Sequence, residues 1–384
     1  MKKQIKSLFV ALLAVAAFSS CAQSLASMAE YDAVVVETEA ADIIAEKWGA
    51  DFRYAQYPKQ SFEVCVEVAP GESIQAAIDE VSSKGGGVVK LAEGVHVVNE
   101  MIAIKSGVTI MGAGIDKTTV KEGQIEGNAC FIIDTKPQIV DVVLRDFALV
   151  GENIGNVQGI FITGVNEARH NRIMFQDLVV TGWGSHGVHI KRTDNIVMNR
   201  CKFTENGIRN GLYHNLYFLF NKEIMQSDCD FSNPVMGKGC KYTSCEFVLA
   251  QRCVIDNCKA NGVQADNEET GYFMFHKYRI SNCGQVALWF PCEYYFGKFD
   301  YTEDPKYAPQ NVILNRCEIV DNTWGAMWRV VGGSYVINSR FDNRKIDMGL
   351  LKCEVEMCGE STFAKGNELY DDVKQWPADV ELLW

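Results

Sequence analysis

Apolar and polar side chains alternate over short runs through most of this chain, with the two-residue period of a β-strand. Three runs can be laid over one another: Ser185-His186-Gly187-Val188-His189-Ile190-Lys191, Tyr213-His214-Asn215-Leu216-Tyr217-Phe218-Leu219 and Gly237-Lys238-Gly239-Cys240-Lys241-Tyr242-Thr243. Val188, Leu216 and Cys240 then share one column, and Ile190, Phe218 and Tyr242 another. His189, Tyr217 and Lys241 lie between them, with His186, His214 and Lys238 beside. If such strands stack in parallel, the apolar columns point inward. The polar columns then form one outward patch of three His, two Lys and a Tyr.

The same pattern extends in both directions. Ile102-Ala103-Ile104, Val108-Thr109-Ile110-Met111, Val142-Val143-Leu144, Ile173-Met174-Phe175, Ile196-Val197-Met198, Asn311-Val312-Ile313-Leu314 and Ser334-Tyr335-Val336-Ile337 are short strands separated by Gly, Asn and Asp. They recur about every 22 to 30 residues, the range of stacked repeats whose single units cannot bury their apolar faces alone. The aromatic stretch from Pro291 to Gln310 interrupts the repeat and reads as a loop leaving one rung. Ala29 to Trp48 is rich in Ala and Glu and is expected to be helical, as a tether or a lid over one end.

A helical stripe of Ile74, Ala77, Ile78 and Val81 follows a candidate N-cap at Ser73, and Gly85-Gly86-Gly87 ends it before the strands Val88-Leu91 and Val95-Val98. The order Ser-Ile-Gln-Ala-Ala-Ile-Asp, Gly-Gly-Gly-Val-Val, Leu-Ala-Glu-Gly-Val-His resembles the entry of the pectate-lyase-like right-handed parallel β-helix superfamily. That resemblance implies an all-β, single-stranded right-handed parallel β-helix whose N-terminal end is capped by the helix. It also implies a carbohydrate-active protein, and says little about the reaction. The expected organisation is a signal over residues 1–21, an extension over 22–60, the coil over 61–345 and a C-terminal cap over 346–384.

Met1-Lys2-Lys3, the apolar run Leu8 to Phe18 and Ser19-Ser20-Cys21 have the order of an export signal. A Cys after small residues resembles a bacterial lipoprotein cleavage site, with Phe18 a departure from the usual Leu. Lipidation at Cys21 would place the protein on the outer membrane, facing periplasm or exterior, with the anchor its one membrane contact. Plain secretion is the alternative. No other apolar run is long enough to span a bilayer.

The net charge of −12 argues against nucleic acid as a partner but leaves room for a local basic patch and an acidic polysaccharide. A monomer is expected. Of the 14 Cys, five (Cys201, Cys229, Cys258, Cys283 and Cys317) follow Asn, Asp or similar residues at repeat intervals. They are expected reduced and buried at equivalent rung positions, while Cys353 and Cys358 lie outside the series.

Half of the chain's six His fall in the outward patch. Parallel strands lie about 4.8 Å apart, so such side chains reach one sugar unit. The set suits β-elimination on a uronate: positive charge stabilises the carboxylate as it becomes enolate-like, a base removes the α-proton and an acid protonates the leaving oxygen. Lys241, Tyr217, His189 and His214 are the candidate catalytic residues. Tyr217 is the candidate acid, and Lys241 either the neutralising cation or, beside Lys238, a base. His186, Lys238 and Lys191 are candidate substrate contacts. Asp266, Glu268 and Glu269 are candidate oxygen ligands for a Ca2+ cofactor, although their spacing matches no defined calcium loop. Uronate C5-epimerisation, glycoside hydrolysis and non-catalytic glycan binding remain open. No paired carboxylates mark a hydrolase on this patch.

Overall fold

The computed structural model of the protein describes residues 31–370, apart from 153–154, 292, 296–298, 302–304, 330–331 and 354. The strands wind into one parallel coil, each pairing with the equivalent strand of the next turn. One sheet runs from Cys65–Val68 to Val355–Cys358, and a second, of 11 strands, from Ile102–Ala103 to Asn367–Tyr370. A third, of five strands, begins at Val254–Asp256. The coil thus continues through Ile346–Leu351 and Asn367–Tyr370, past the point where a C-terminal cap was expected to begin. Cys21 and the signal-like segment lie outside the described residues.

The inward columns are continuous. Ile160, Val188, Leu216, Cys240, Val263, Leu288, Ala326 and Met348 are successive register partners in the 11-stranded sheet, and all are buried in the main core. Burying such a side chain contributes about 1.5–3 kcal/mol, and the stack does so at every rung. At the N-terminal end the Ile74–Ser83 helix closes the core with Ile74, Ala77, Ile78 and Val81. The Ser73 side chain caps it, accepting from the Ala76 N–H at 3.1 Å.

The corners explain the recurring Cys. In Asn199-Arg200-Cys201, Ser227-Asp228-Cys229 and Asn315-Arg316-Cys317 the middle residue is left-handed, with φ of 52°, 55° and 53°. The thiol after it turns inward and donates to the carbonyl two residues back, at 3.4 Å in Cys201 and 3.3 Å in Cys229. All five expected Cys are buried and free. They do not form one column. The rung ladder runs Cys201, Cys229, Cys253, Tyr278, Cys317, with Cys258 and Cys283 in a second column. Cys229 therefore neighbours Cys253, because two successive corners of one rung both carry Cys.

Residues 31–60 do not cover an end of the coil. They run along its outer side, with the Thr38–Lys47 helix laid on the main sheet. Ala40, Ile44, Trp48 and Phe52 pack on an outward apolar row of Val143, Met174, Val197, Met225, Leu249, Met274 and Ile313. Polar contacts flank the strap. Asp32 meets Arg200 at 2.7 Å, Glu39 meets Arg316 at 2.7 Å, and on the return path Gln56 N–H donates to Asn195 at 2.6 Å. Between Phe290 and Gln310 the expected excursion contains an antiparallel hairpin of Glu293–Tyr295 and Phe299–Tyr301. Among the described residues no helix is long and apolar enough to cross a membrane.

Candidate functional site

Five strands of the 11-stranded sheet build the site: Gln158–Thr163, Val188–Lys191, Leu216–Leu219, Cys240–Thr243 and Val263–Asp266. Their register places Phe161, His189, Tyr217, Lys241 and Gln264 in one outward column. A second outward column, two residues on, holds Thr163, Lys191, Leu219, Thr243 and Asp266. The three superimposed runs thus pair in the register read from the sequence.

His186, His214 and Lys238 lie beside the first column in the turns that enter the strands. His186 Nδ1 accepts the His214 backbone N–H at 3.0 Å, and His214 Nδ1 accepts the Lys238 N–H at 3.2 Å. Each imidazole so satisfies a buried backbone donor of the next rung. Small residues make this approach possible. A Cβ on Gly187 would stand 2.5 Å from the Asn206 side chain, and one on Gly237 would stand 2.7 Å from His214 Nδ1. With Nδ1 accepting, the proton of a neutral ring sits on Nε2, so neither His186 nor His214 has a free lone pair for a base.

The patch faces out of the coil but is not open surface. His186, His214, Lys238 and Lys241 are buried, with His189 and Tyr217 half-buried. Burial, reinforced by the nearby positive charges, pushes the pKa of His186 and of His214 well below the usual imidazole range. Burial, with Lys191 adding, lowers His189 to about 3. All three rings are neutral at pH 7, so the positive charge of the cluster resides on its lysines. Rings stack across rungs: Phe161 and His189 lie 5.1 Å apart, and His189 and Tyr217 4.7 Å apart at 19°. The Lys241 ammonium lies over the Tyr217 ring, 5.9 Å from its centre.

Lys241 Nζ is 3.1 Å from Asp266 Oδ2, and the Gln264 amide donates to the same oxygen at 2.6 Å. Among the described residues, Asp266 Oδ1, Thr243 Oγ1 and His189 Nε2 are buried with no hydrogen-bond partner. Lys191 sits on the same strand as His189, in the second column, where burial lowers its pKa.

Among the described residues no three His, Cys, Asp or Glu side chains are placed to hold a metal ion. Asp266 is buried against an ammonium, while Glu268 and Glu269 follow in a turn and are half-buried and exposed. Sequence reasoning missed Thr243, Gln264 and the pairing of Asp266. Their signal was a fourth copy of the run, Asn261-Gly262-Val263-Gln264-Ala265-Asp266, in which no His or Lys draws the eye.

Residues 158–341 match the family model described as the right handed beta helix region. The chain carries a right-handed β-helix. All six residues of the ring and lysine cluster fall inside the matched region. The β-helix is similar to the A-module of the mannuronan C-5 epimerase AlgE4 of Azotobacter vinelandii, with a TM-score of 0.51 and 15% identity, covering 82% of this chain and 96% of that one. It is similar to the A-module of AlgE6 from the same organism, with a TM-score of 0.51 and 17% identity, covering 78% of this chain and 76% of that one. The Dettilon tailspike protein is similar at a TM-score of 0.50 and 12% identity, over 79% of this chain and 68% of its own. At these identities the likeness is one of fold. No curated protein matches the chain by sequence.

Proposed function

We propose that the protein acts on a uronate-containing polysaccharide and cleaves it by β-elimination. The observation that supports this is the composition of the cluster: two lysines beside neutral imidazoles and a phenol, all on one face of neighbouring rungs. Lys241 and Lys238 receive the uronate carboxylate and stabilise it as the α-carbon loses its proton. His189 takes that proton, and the carboxylate's arrival favours the imidazolium it becomes. Tyr217, stacked on His189, gives its proton to the leaving glycosidic oxygen as the C–O bond breaks and the C=C bond forms. His186 and His214 orient the entry turns and present Nε2–H donors.

C5-epimerisation is the second reading. It shares the abstraction and returns a proton to the opposite face, and the epimerase A-modules of like fold keep it in view. Hydrolysis is less favoured, because Asp266 is the one carboxylate in these outward columns among the described residues and it is tied to Lys241. The same proposal puts the protein outside the cytoplasm, anchored by a lipid on Cys21. Labelling with a fatty-acid probe should mark the wild type and spare Cys21→Ser.

Incubation with pectate, alginate and glycosaminoglycans, with and without Ca2+, tests the reaction. A lyase gives an ultraviolet-absorbing unsaturated end, and an epimerase changes the uronate ratio at constant chain length. Saturated products of added water would overturn both.

A further inference from the structure

We propose that Asp266 is the positioning residue of this site, fixing the Lys241 ammonium as the group that receives the substrate's carboxylate. The assignment rests on the uronate reading for the identity of the ligand, but the coupling of the two side chains stands on geometry alone. Lys241 and Asp266 occupy adjacent strands of the outward face, one column apart. Their side chains are 7% and 1% exposed, and Nζ and Oδ2 are 3.1 Å apart. A charge so buried is costly unless an opposite charge faces it, and two well-packed apolar residues serve stability as well or better.

Other carboxylates of the coil show what a purely structural pair looks like here. Asp194 takes three bonds from Arg169 through both its oxygens, Asp141 two from Arg172, Asp177 two from Arg200 and Asp228 two from Arg252. Each is a two-pronged clamp between neighbouring rungs, the strong form of such a contact. Asp266 is built differently. It meets a lysine through one oxygen, and the Gln264 amide crowds that same oxygen. Its Oδ1 is buried and has no partner among the described residues. Its backbone is pinned, with the Asp266 carbonyl accepting from the Thr270 hydroxyl at 2.6 Å and the Ser244 N–H at 3.0 Å. A carboxylate whose backbone is pinned and which meets an ammonium through one oxygen fixes where that ammonium sits on the outward face.

The pair also separates two roles that the sequence left open. Lys241 is held as a cation, which makes it the carboxylate-binding group and leaves proton abstraction to His189. Asp266 touches no substrate in this scheme and works through Lys241.

The first test needs no substrate. Full-length protein labelled with 15N-lysine should show an ammonium cross-peak, protected from exchange, that is absent in Lys241→Met. The same cross-peak should vanish or broaden in Asp266→Asn. Its persistence unchanged in Asp266→Asn would overturn the coupling. So would the lack in wild type of any exchange-protected lysine ammonium cross-peak, an outcome readable even if neither variant folds. The second test uses the uronate polymer found active in the screen. Asp266→Asn and Lys241→Met, each assayed at a temperature where calorimetry shows it folded, should each lower kcat/KM about 10²-fold, and the double variant should be no worse than Lys241→Met. Additive losses would show Asp266 acting on its own. An intact ammonium coupling with activity confined to neutral glycans would strike the uronate reading and leave the positioning role standing.

Discussion

At the residue scale, burial changes what each substitution reports. Lys241→Ala is a poor probe of chemistry, because it strands Asp266 uncompensated, and breaking a buried pair costs about 3–5 kcal/mol. Calorimetry should therefore show Lys241→Ala melting far below wild type. Tyr217→Phe and His189→Gln leave both charges paired. On an active substrate each should lose about 10²- to 10⁴-fold in rate while circular dichroism stays as in wild type. Near-normal rates in both would remove the cluster from the mechanism. The imidazoles give a pH signature. The folded pKa of His189 is about 3, and those of His186 and His214 are well below the usual value. The unfolded chain thus binds more protons below about pH 6.5, so this stabilisation is full above that pH and is lost as pH falls toward 3. Thermal midpoints should drop between pH 7 and pH 5 by less in His186→Asn than in wild type. The alternation told which of these residues share a column. It did not tell that most of them would be buried, because burial depends on what neighbouring rungs bring alongside.

At the scale of elements, the strap over residues 31–60 is the least expected part. Glu37 is its tightest fastening. The carboxylate accepts from Arg252 at 2.8 Å, from His276 Nε2 at 2.8 Å and from Lys277. Burial alone would raise the Glu37 pKa, but hydrogen bonds from Lys277, Arg252 and His276 outweigh it and hold it at about 2. That contribution is present above about pH 4.5 and is lost as pH falls through 2. Glu37→Gln should weaken the fastening by about 1.5–3 kcal/mol, the range of hydrogen bonds to charged groups. Limited proteolysis at pH 7 should then cut within 31–60 faster, while the coil itself resists. An unchanged cutting pattern would mean the apolar row beneath the strap suffices. The helical stretch was legible in the sequence, but its partners lie more than 200 residues away, beyond any local pattern.

At the scale of the whole molecule, stability propagates from rung to rung, and the last rungs matter as much as the first. The strand Ile346–Leu351 pairs with Trp324–Trp328, and Ile346 and Leu351 join Trp289, Trp324 and Met327 in an outward apolar cluster. A chain ending at residue 345 would uncover that cluster and an unpaired strand edge. It should aggregate or melt well below the full chain, which light scattering and calorimetry would show. Equal stability would mark 346–370 as a dispensable cap. Far-ultraviolet circular dichroism of the full chain should be dominated by β-structure.

The sequence by itself determined the coil, its register at the three superimposed runs, the capping helix at Ser73 and the inward burial of the repeating Cys. Each follows from a period or a corner chemistry that short segments carry whole. Three features were decided only by the tertiary structure: the Cys201-Cys229-Cys253 column, the strap along the flank and the pairing of Asp266 with Lys241. Rungs differ in length, so sequence spacing alone does not say which corner stacks on which. Side chains on adjacent rungs meet only once the backbone has turned a full circuit, and that circuit placed a carboxylate read as a metal ligand against the lysine it holds.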